Sequence, residues 1–236
     1  MKVGVIIIVY NLSSEIFLLQ MAAIKKFCKD EDYTVEIVDN SSDLEKAEDI
    51  RYHASILEIN YIKTFAGGMG SDSHAFAANF SYKKFKNKYN YFAYLDHDVI
   101  PVSDFSVVEI LNGGHVMAGL GQGAQKTYFW PGLVFWNANV VDPEIIDFSP
   151  SHIFGLDTGG NLYKVIEKYG KENCIFFNEA YHQNPYFNSL DGYNHFSMLA
   201  DNRFLHMINS SNWALADRHE ERINSLINVA KEKTGL

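Results

Sequence analysis

The sequence predicts an α/β fold: an open, mostly parallel Rossmann-like sheet flanked by helices, followed by a more irregular second half. Three observations carry this. Val3–Val9 and Tyr91–Leu95 are continuous apolar runs without alternation, as strands covered on both faces read. Strand-like runs alternate with segments of helical spacing through the first hundred residues. Asp96-His97-Asp98 follows the second apolar run directly, at the carboxyl end of a strand, where open α/β sheets bind ligands.

The first strand breaks at Asn11. Ser13 or Ser14 then caps a helix reaching Cys28, with Ile16, Leu19 and Ala23 at helical spacing. Thr34–Val38 is a second strand, closed by the turn-forming cluster Asp39-Asn40-Ser41-Ser42. A third short strand is expected at Ile56–Ile59, ahead of Asn60 and the loop AGGMGS of residues 66–71, and Asp72–Phe85 reads as a helix. Beyond the strand at Tyr91–Leu95, Gly113–Trp136 is rich in glycine and aromatic residues. Its FWPGLVFW stretch predicts a strand interrupted at Pro131-Gly132, as at edges and bulges. Leu162–Tyr169 and Glu220–Lys233 read as helices, the latter with Ile223, Leu226, Ile227 and Ala230 on its apolar face, and 173–212 has no clear pattern. With no repeat or low-complexity linker, the expectation is a single domain over 1–236, divided near residue 101.

The 236 residues carry 20 Lys+Arg against 29 Asp+Glu, a net charge of -9, without any basic tract, so nucleic acid is not an expected partner. Cys28 and Cys174 are isolated, which predicts reduced thiols and a cytoplasmic location. Val3–Val9 is too short to span a bilayer, so no transmembrane segment is expected; peripheral association with the inner face of a membrane stays compatible.

Asp96 and Asp98, one residue apart on a strand end, point to the same side. Such carboxylates repel unless a cation lies beside them, and oxygen ligands suit Mg²⁺ or Mn²⁺. The plainer use is to cap a turn ahead of Pro101. The glycine loop lacks both the G-x-G-x-x-G and the G-x-x-x-x-G-K order, which disfavours dinucleotide and Walker-type binding. Lys63, just before it, is a candidate phosphate contact or a solvated lysine.

VIIIVYN at the start, EIVDNSS after the second strand, Asn60 with the glycine loop and helix after it, and LDHD together resemble the nucleotide-sugar-dependent glycosyltransferases of family 2, with the GT-A fold. The resemblance covers the first hundred residues and is loose beyond. It implies that residues of about 1–101 bind the nucleotide sugar, UDP- or GDP-linked, and that about 102–236 bind a glycan or glycolipid acceptor. By the same likeness Val9, Tyr10 and Asn11 line the base, Asp39 bonds its edge, Asn60 lies near the ribose or base, Asp96 lies near the ribose, and Asp98 ligates the Mn²⁺ or Mg²⁺ that bridges the diphosphate. His206 resembles a late histidine placed on metal or diphosphate, with His195 a weaker candidate, and Arg203 could neutralise the leaving group.

Inverting transfer needs a carboxylate base. The E-D pair usual in the family is missing here, and Asp157, ahead of a glycine turn and helix, is the expected base, with Asp191 in reserve; either could instead simply cap a turn. Among Tyr128, Phe129, Trp130, Trp136 and Trp213, Trp130 beside Pro131-Gly132 is the expected acceptor contact. Two other readings remain: a nucleotidyltransferase, although the amino-terminal turn VYNLSSE has no cation to hold a triphosphate, and a catalytically silent glycan- or nucleotide-binding module.

Overall fold

A computed structural model describes residues 1–64, 70–187, 195–208 and 219–236. The chain runs β1 (Val3–Val9), α1 (Ser14–Phe27), β2 (Tyr33–Asp39), α2 (Leu44–Ile56), β3 (Asn60–Lys63), α3 (Ser71–Phe85), β4 (Tyr91–Asp96), β5 (Val99–Pro101), α4 (Val107–Ile110), β6 (Met117–Gln122), β7 (Tyr128–Asn137), α5 (Tyr163–Tyr169), β8 (Cys174–Phe177), β9 (Glu179–Gln183), β10 (His195–Leu199), β11 (Phe204–His206) and α6 (His219–Thr234). A seven-stranded sheet has the order β3-β2-β1-β4-β7-β6-β8, parallel except where β7 pairs with β4 and β6.

All seven residues of β1 are buried, and their β-branched side chains favour the extended chain. Val3, Val5, Ile7 and Val9 share one apolar cluster with Phe17 and Ile24 of α1 and Leu226 of α6, while Ile6 and Ile8 share another with Ala77, Ala78 and Tyr82 of α3. Alternate residues thus serve opposite faces, so the run is apolar throughout. Burial of this kind stabilises by about 1.5–3 kcal/mol per large side chain. The free, buried thiols of Cys28 and Cys174 are pushed up by burial, to about 12 and about 11. Among the described residues no helix is long and apolar enough to cross a membrane.

One expectation needs correction, and one is settled between its two alternatives. The strand expected at Ile56–Ile59 is the end of helix α2, whose cap Asp43 accepts the N–H groups of Glu45 and Lys46 at 3.0 and 3.2 Å. Ile56 and Leu57 are exposed there, and the chain turns at Glu58, with φ +56°, before β3 begins. The interruption at Pro131-Gly132 is a bulge, but in an interior strand: between Gly119↔Val134 and Gly121↔Phe129, two steps along β6 face five along β7.

Residues 173–212, without clear pattern in the sequence, supply β8 at the edge of the large sheet and three strands of a second one. That sheet is antiparallel, with order β5-β11-β10-β9. Because β5 starts straight after Asp98, this small sheet grows out of the carboxyl end of β4.

Candidate active site at the strand ends

A cavity of about 390 Å³ opens at the carboxyl ends of β1, β2 and β4, roofed by β7 and the small sheet. Its lining includes Tyr10, Asp96, Asp98, Trp130, Asp157 and His206, so six residues singled out in the sequence converge on one space. The corner between β4 and β5 is fixed from three sides. Gln20 of α1, fully buried, donates its amide to the carbonyls of Asp96 and Val99, both at 2.8 Å. His97 meets the carbonyl of Ile8 through Nδ1 at 3.2 Å, and the Asp98 carbonyl accepts the Met207 N–H at 2.8 Å. Leaving such buried carbonyls without donors would cost about 1–3 kcal/mol each.

The antiparallel register explains how residues so distant in sequence meet. Val99 faces His206 across β5 and β11, which brings His206 Nε2 to 3.9 Å from Asp98 Oδ2. Ser197 Oγ of β10 lies 3.3 Å from the other ring nitrogen of His206, and the Trp130 indole lies 4.9 Å from its ring. Trp130 owes its place to Gly132. A Cβ at Gly132 would stand 2.1–2.5 Å from indole carbons, so the ring rests on bare backbone.

Asp96 pairs with His74 of α3 at 2.9 Å. Burial alone would lower the pKa of His74, but Asp96, with Asp98 and Asp157 behind it, outweighs burial and raises it. Burial would likewise raise Asp96, yet its hydrogen-bonded ion pair with His74, helped by His97 and His206, outweighs burial and lowers it. Asp157 accepts the Ser71 hydroxyl and, at 2.7 Å, the Thr158 N–H, while Thr158 donates to the Ser71 carbonyl at 3.0 Å. Gly159, with φ +81°, packs where a Cβ would meet the Phe129 carbonyl and Pro131 at 2.7 Å, which seats the Asp157 loop on the bulge of β7.

Several predicted residues do not line the cavity. Asn60 starts β3 level with Glu36, three residues short of the strand end where Lys63 faces Asp39, so it is held at the wrong end. Arg203 precedes β11 and His206 ends it; the Arg203 carbonyl instead accepts the Val102 N–H at 2.8 Å. Val9 is core, its carbonyl taken by the Asn40 N–H. Asn11 is occupied with Ser41, Ser42, Asp43 and Lys46. Asp39 is fully buried, accepting Ser41 N–H at 2.7 Å and the Tyr61 hydroxyl at 2.5 Å; Asn40 lines the cavity in its place.

Lys63 is turned inward onto the Ser41 carbonyl at 2.5 Å. His195 pairs with Gln183 and does not reach the cavity; Tyr128, Phe129 and Trp136 are core. Asp191, Trp213 and loop residues 66–69 lie outside the described residues, whereas Gly70 and Ser71 line the cavity. Sequence reasoning missed Gln20, His74, Glu179 and Tyr181. Of these only Gln20 carried a signal, a polar residue inside the apolar stripe of α1.

Asp98 and His206 offer a carboxylate oxygen and an imidazole nitrogen, both largely buried, at a spacing that two bonds of about 2.1 Å to one ion can span. This mixed donor set suits Mn²⁺ better than Mg²⁺. Among the described residues no three His, Cys, Asp or Glu side chains form a ready metal cluster.

No family model and no curated protein matches the chain. Solved structures do. Mannosyltransferase PcManGT from Pyrobaculum calidifontis, in complex with GDP-Man and Mn²⁺, matches with a TM-score of 0.51 and 15% identity over 74% of this chain and 54% of that one. This chain therefore spans about half the length of that protein, and shares its Rossmann-like fold. S. aureus TarS matches with a TM-score of 0.43 and 14% identity over 63% of this chain and 30% of that one.

Proposed function

We propose that the chain is a metal-dependent glycosyltransferase moving a sugar from a UDP- or GDP-linked donor to a hydroxyl acceptor with inversion. The supporting observation is the convergence of Asp96, Asp98, His206 and Asp157 on one cavity at the strand ends of a fold shared with a GDP-mannose-binding enzyme. Tyr10 and Asn40 lie at the carboxyl ends of β1 and β2, where a nucleoside would rest, and Asp96, oriented by His74, faces the same space.

Asp98 and His206 would hold the cation. Bound there, a divalent metal would neutralise the departing diphosphate. Asp157 would take the acceptor proton as the acceptor oxygen bonds to the anomeric carbon and the bond from that carbon to the phosphate oxygen breaks. Its carboxylate is steered by the Ser71 hydroxyl and the Thr158 N–H, which leaves its second oxygen for the acceptor.

The test is thermal melting with UDP and GDP, each with and without Mn²⁺. A ligand at a hundredfold excess over Kd adds about 2.7 kcal/mol, which for a chain of this size raises Tm by roughly 5–10 °C. One nucleotide should do so only with the metal, and Asp98→Asn should abolish the shift. If no nucleotide diphosphate shifts the transition with any divalent cation, the proposal is wrong.

A further inference from the structure

We infer that the acceptor is an uncharged sugar, seated on Tyr181 and Trp130 and selected against anionic acceptors by the carboxylates around it. The inference rests on the glycosyltransfer reading and names the substrate class of the same cavity.

The small sheet sets out the positions. Ser197 of β10 pairs with His206 on one side and Tyr181 on the other, so His206, Ser197 and Tyr181 form a row across three strands. Side chains level in such a row share a face, and two strand spacings put Tyr181 about 10 Å from His206. Glu179, two residues before Tyr181 on β9, shares that face, and both line the cavity. A sugar ring on Tyr181 would therefore lie one ring's breadth from a leaving group held at His206.

Tyr181 is 66% exposed at the mouth of the cavity, where a packing role would have covered it. An aromatic ring so placed, in the same cavity lining as Trp130, whose indole lies beside His206, offers a flat apolar platform to the C–H face of a pyranose. Polar groups for hydroxyls stand around it. Glu179 and Asp157 accept, and the Gln122 carboxamide, whose oxygen is taken by the Tyr128 hydroxyl at 2.9 Å, keeps its NH₂ for donation.

Charge narrows the class. The described lining holds four carboxylates, Asp96, Asp98, Asp157 and Glu179, against three histidines and no Lys or Arg. A divalent metal ion and the donor diphosphate largely cancel each other and His74 faces Asp96, so Asp98, Asp157 and Glu179 remain to repel a phosphate or a uronate, the last two while accepting bonds from neutral hydroxyls.

The experiment presents the enzyme, with Mn²⁺ and its donor, with neutral p-nitrophenyl hexosides, the matching glucuronides and a polyprenyl phosphate, alongside nucleotide-dependent melting on the same samples. Neutral hexosides should be preferred at least tenfold in kcat/KM. Tyr181→Ala should raise acceptor KM about tenfold with a smaller effect on kcat, Tyr181→Phe should restore it, and Glu179→Gln should narrow the discrimination against glucuronides. The inference is overturned, with donor use intact, if the anionic acceptors are used as well as the neutral ones or if Tyr181→Ala leaves acceptor KM unchanged. Absence of nucleotide-dependent melting overturns the glycosyltransfer reading, and this inference with it.

Discussion

The cavity takes Asp96 and Asp98 from the parallel strands and His206, Trp130 and Asp157 from the antiparallel part, and the two contributions are held differently. Asp96 and Asp98 stand at the end of β4, which pairs in unbroken register with the buried strand β1, parallel, and with β7, antiparallel, and Gln20 ties their corner from beneath. The other three depend on a three-residue strand, a bulge and a loop, each kept in place by close contact with another of the irregular parts. The regular region should therefore tolerate change without moving the site, while the irregular one should transmit small changes to the chemistry.

The largest effect that sharpens this contrast is expected from Asp157→Asn. The amide keeps the contact with the Thr158 N–H through its oxygen, so the loop stays seated, but it cannot accept the proton. Transfer should fall by about 10²–10⁴-fold while the nucleotide-dependent melting shift persists. Loss of both together would mean that Asp157 serves the loop and not the chemistry.

Gly132→Ala comes next. The new methyl group would stand in the Trp130 indole, which must leave its place beside His206. Overpacking of this kind costs about 1–3 kcal/mol, and the displaced indole should raise the acceptor KM severalfold. A crystal structure of the variant with the indole unmoved and the KM unchanged would contradict the role given to the bulge.

The contrast also decides what was legible in the sequence. β1, β4 and the acidic corner were readable because each is local: an apolar run covered on both faces, and a polar triplet directly after one. Helix α2 was missed because only Ala47, Ile50 and Ala54 are buried on it, too sparse a stripe to stand out. The small sheet was missed for a related reason, since four of the five residues of β9 are exposed and no alternation survives. Arg203 was drawn to the site by its closeness to His206 in sequence, yet a three-residue strand places them at opposite ends. The meeting of Asp98 with His206 is a matter of register between β5 and β11, which neither segment shows alone.

Gln20→Leu tests the regular side. It keeps the volume and removes Gln20 Oε1, which is buried without a partner, but leaves the carbonyls of Asp96 and Val99 without their donor at about 1–3 kcal/mol each, so the net loss of about 1–3 kcal/mol is a fall of roughly 2–12 °C in Tm. Because the backbone register of β1 and β4 remains, nucleotide affinity should change less than threefold. A larger loss of affinity at unchanged Tm would show that the corner needs the glutamine for its shape.

The smallest expected effect concerns the seam between the two regions. Asp147 receives the Ser149 N–H at 2.9 Å, the Asn161 amide at 2.7 Å and the Asn79 amide of α3 at 3.3 Å, so it ties the segment leading to Asp157 to the regular half. Burial would raise its pKa, but these donors, the Ser149 N–H foremost, outweigh burial and lower it. A carboxyl group whose folded pKa lies below its unfolded value of about 3.9 contributes stability that is complete above that value and is lost as pH falls through the folded one. Asp147→Asn should thus lower Tm modestly at pH 7 and make the fall in Tm below pH 4 shallower than in the native chain. Parallel acid curves for the two proteins would show that the seam draws its strength from packing, with the charge on Asp147 contributing nothing.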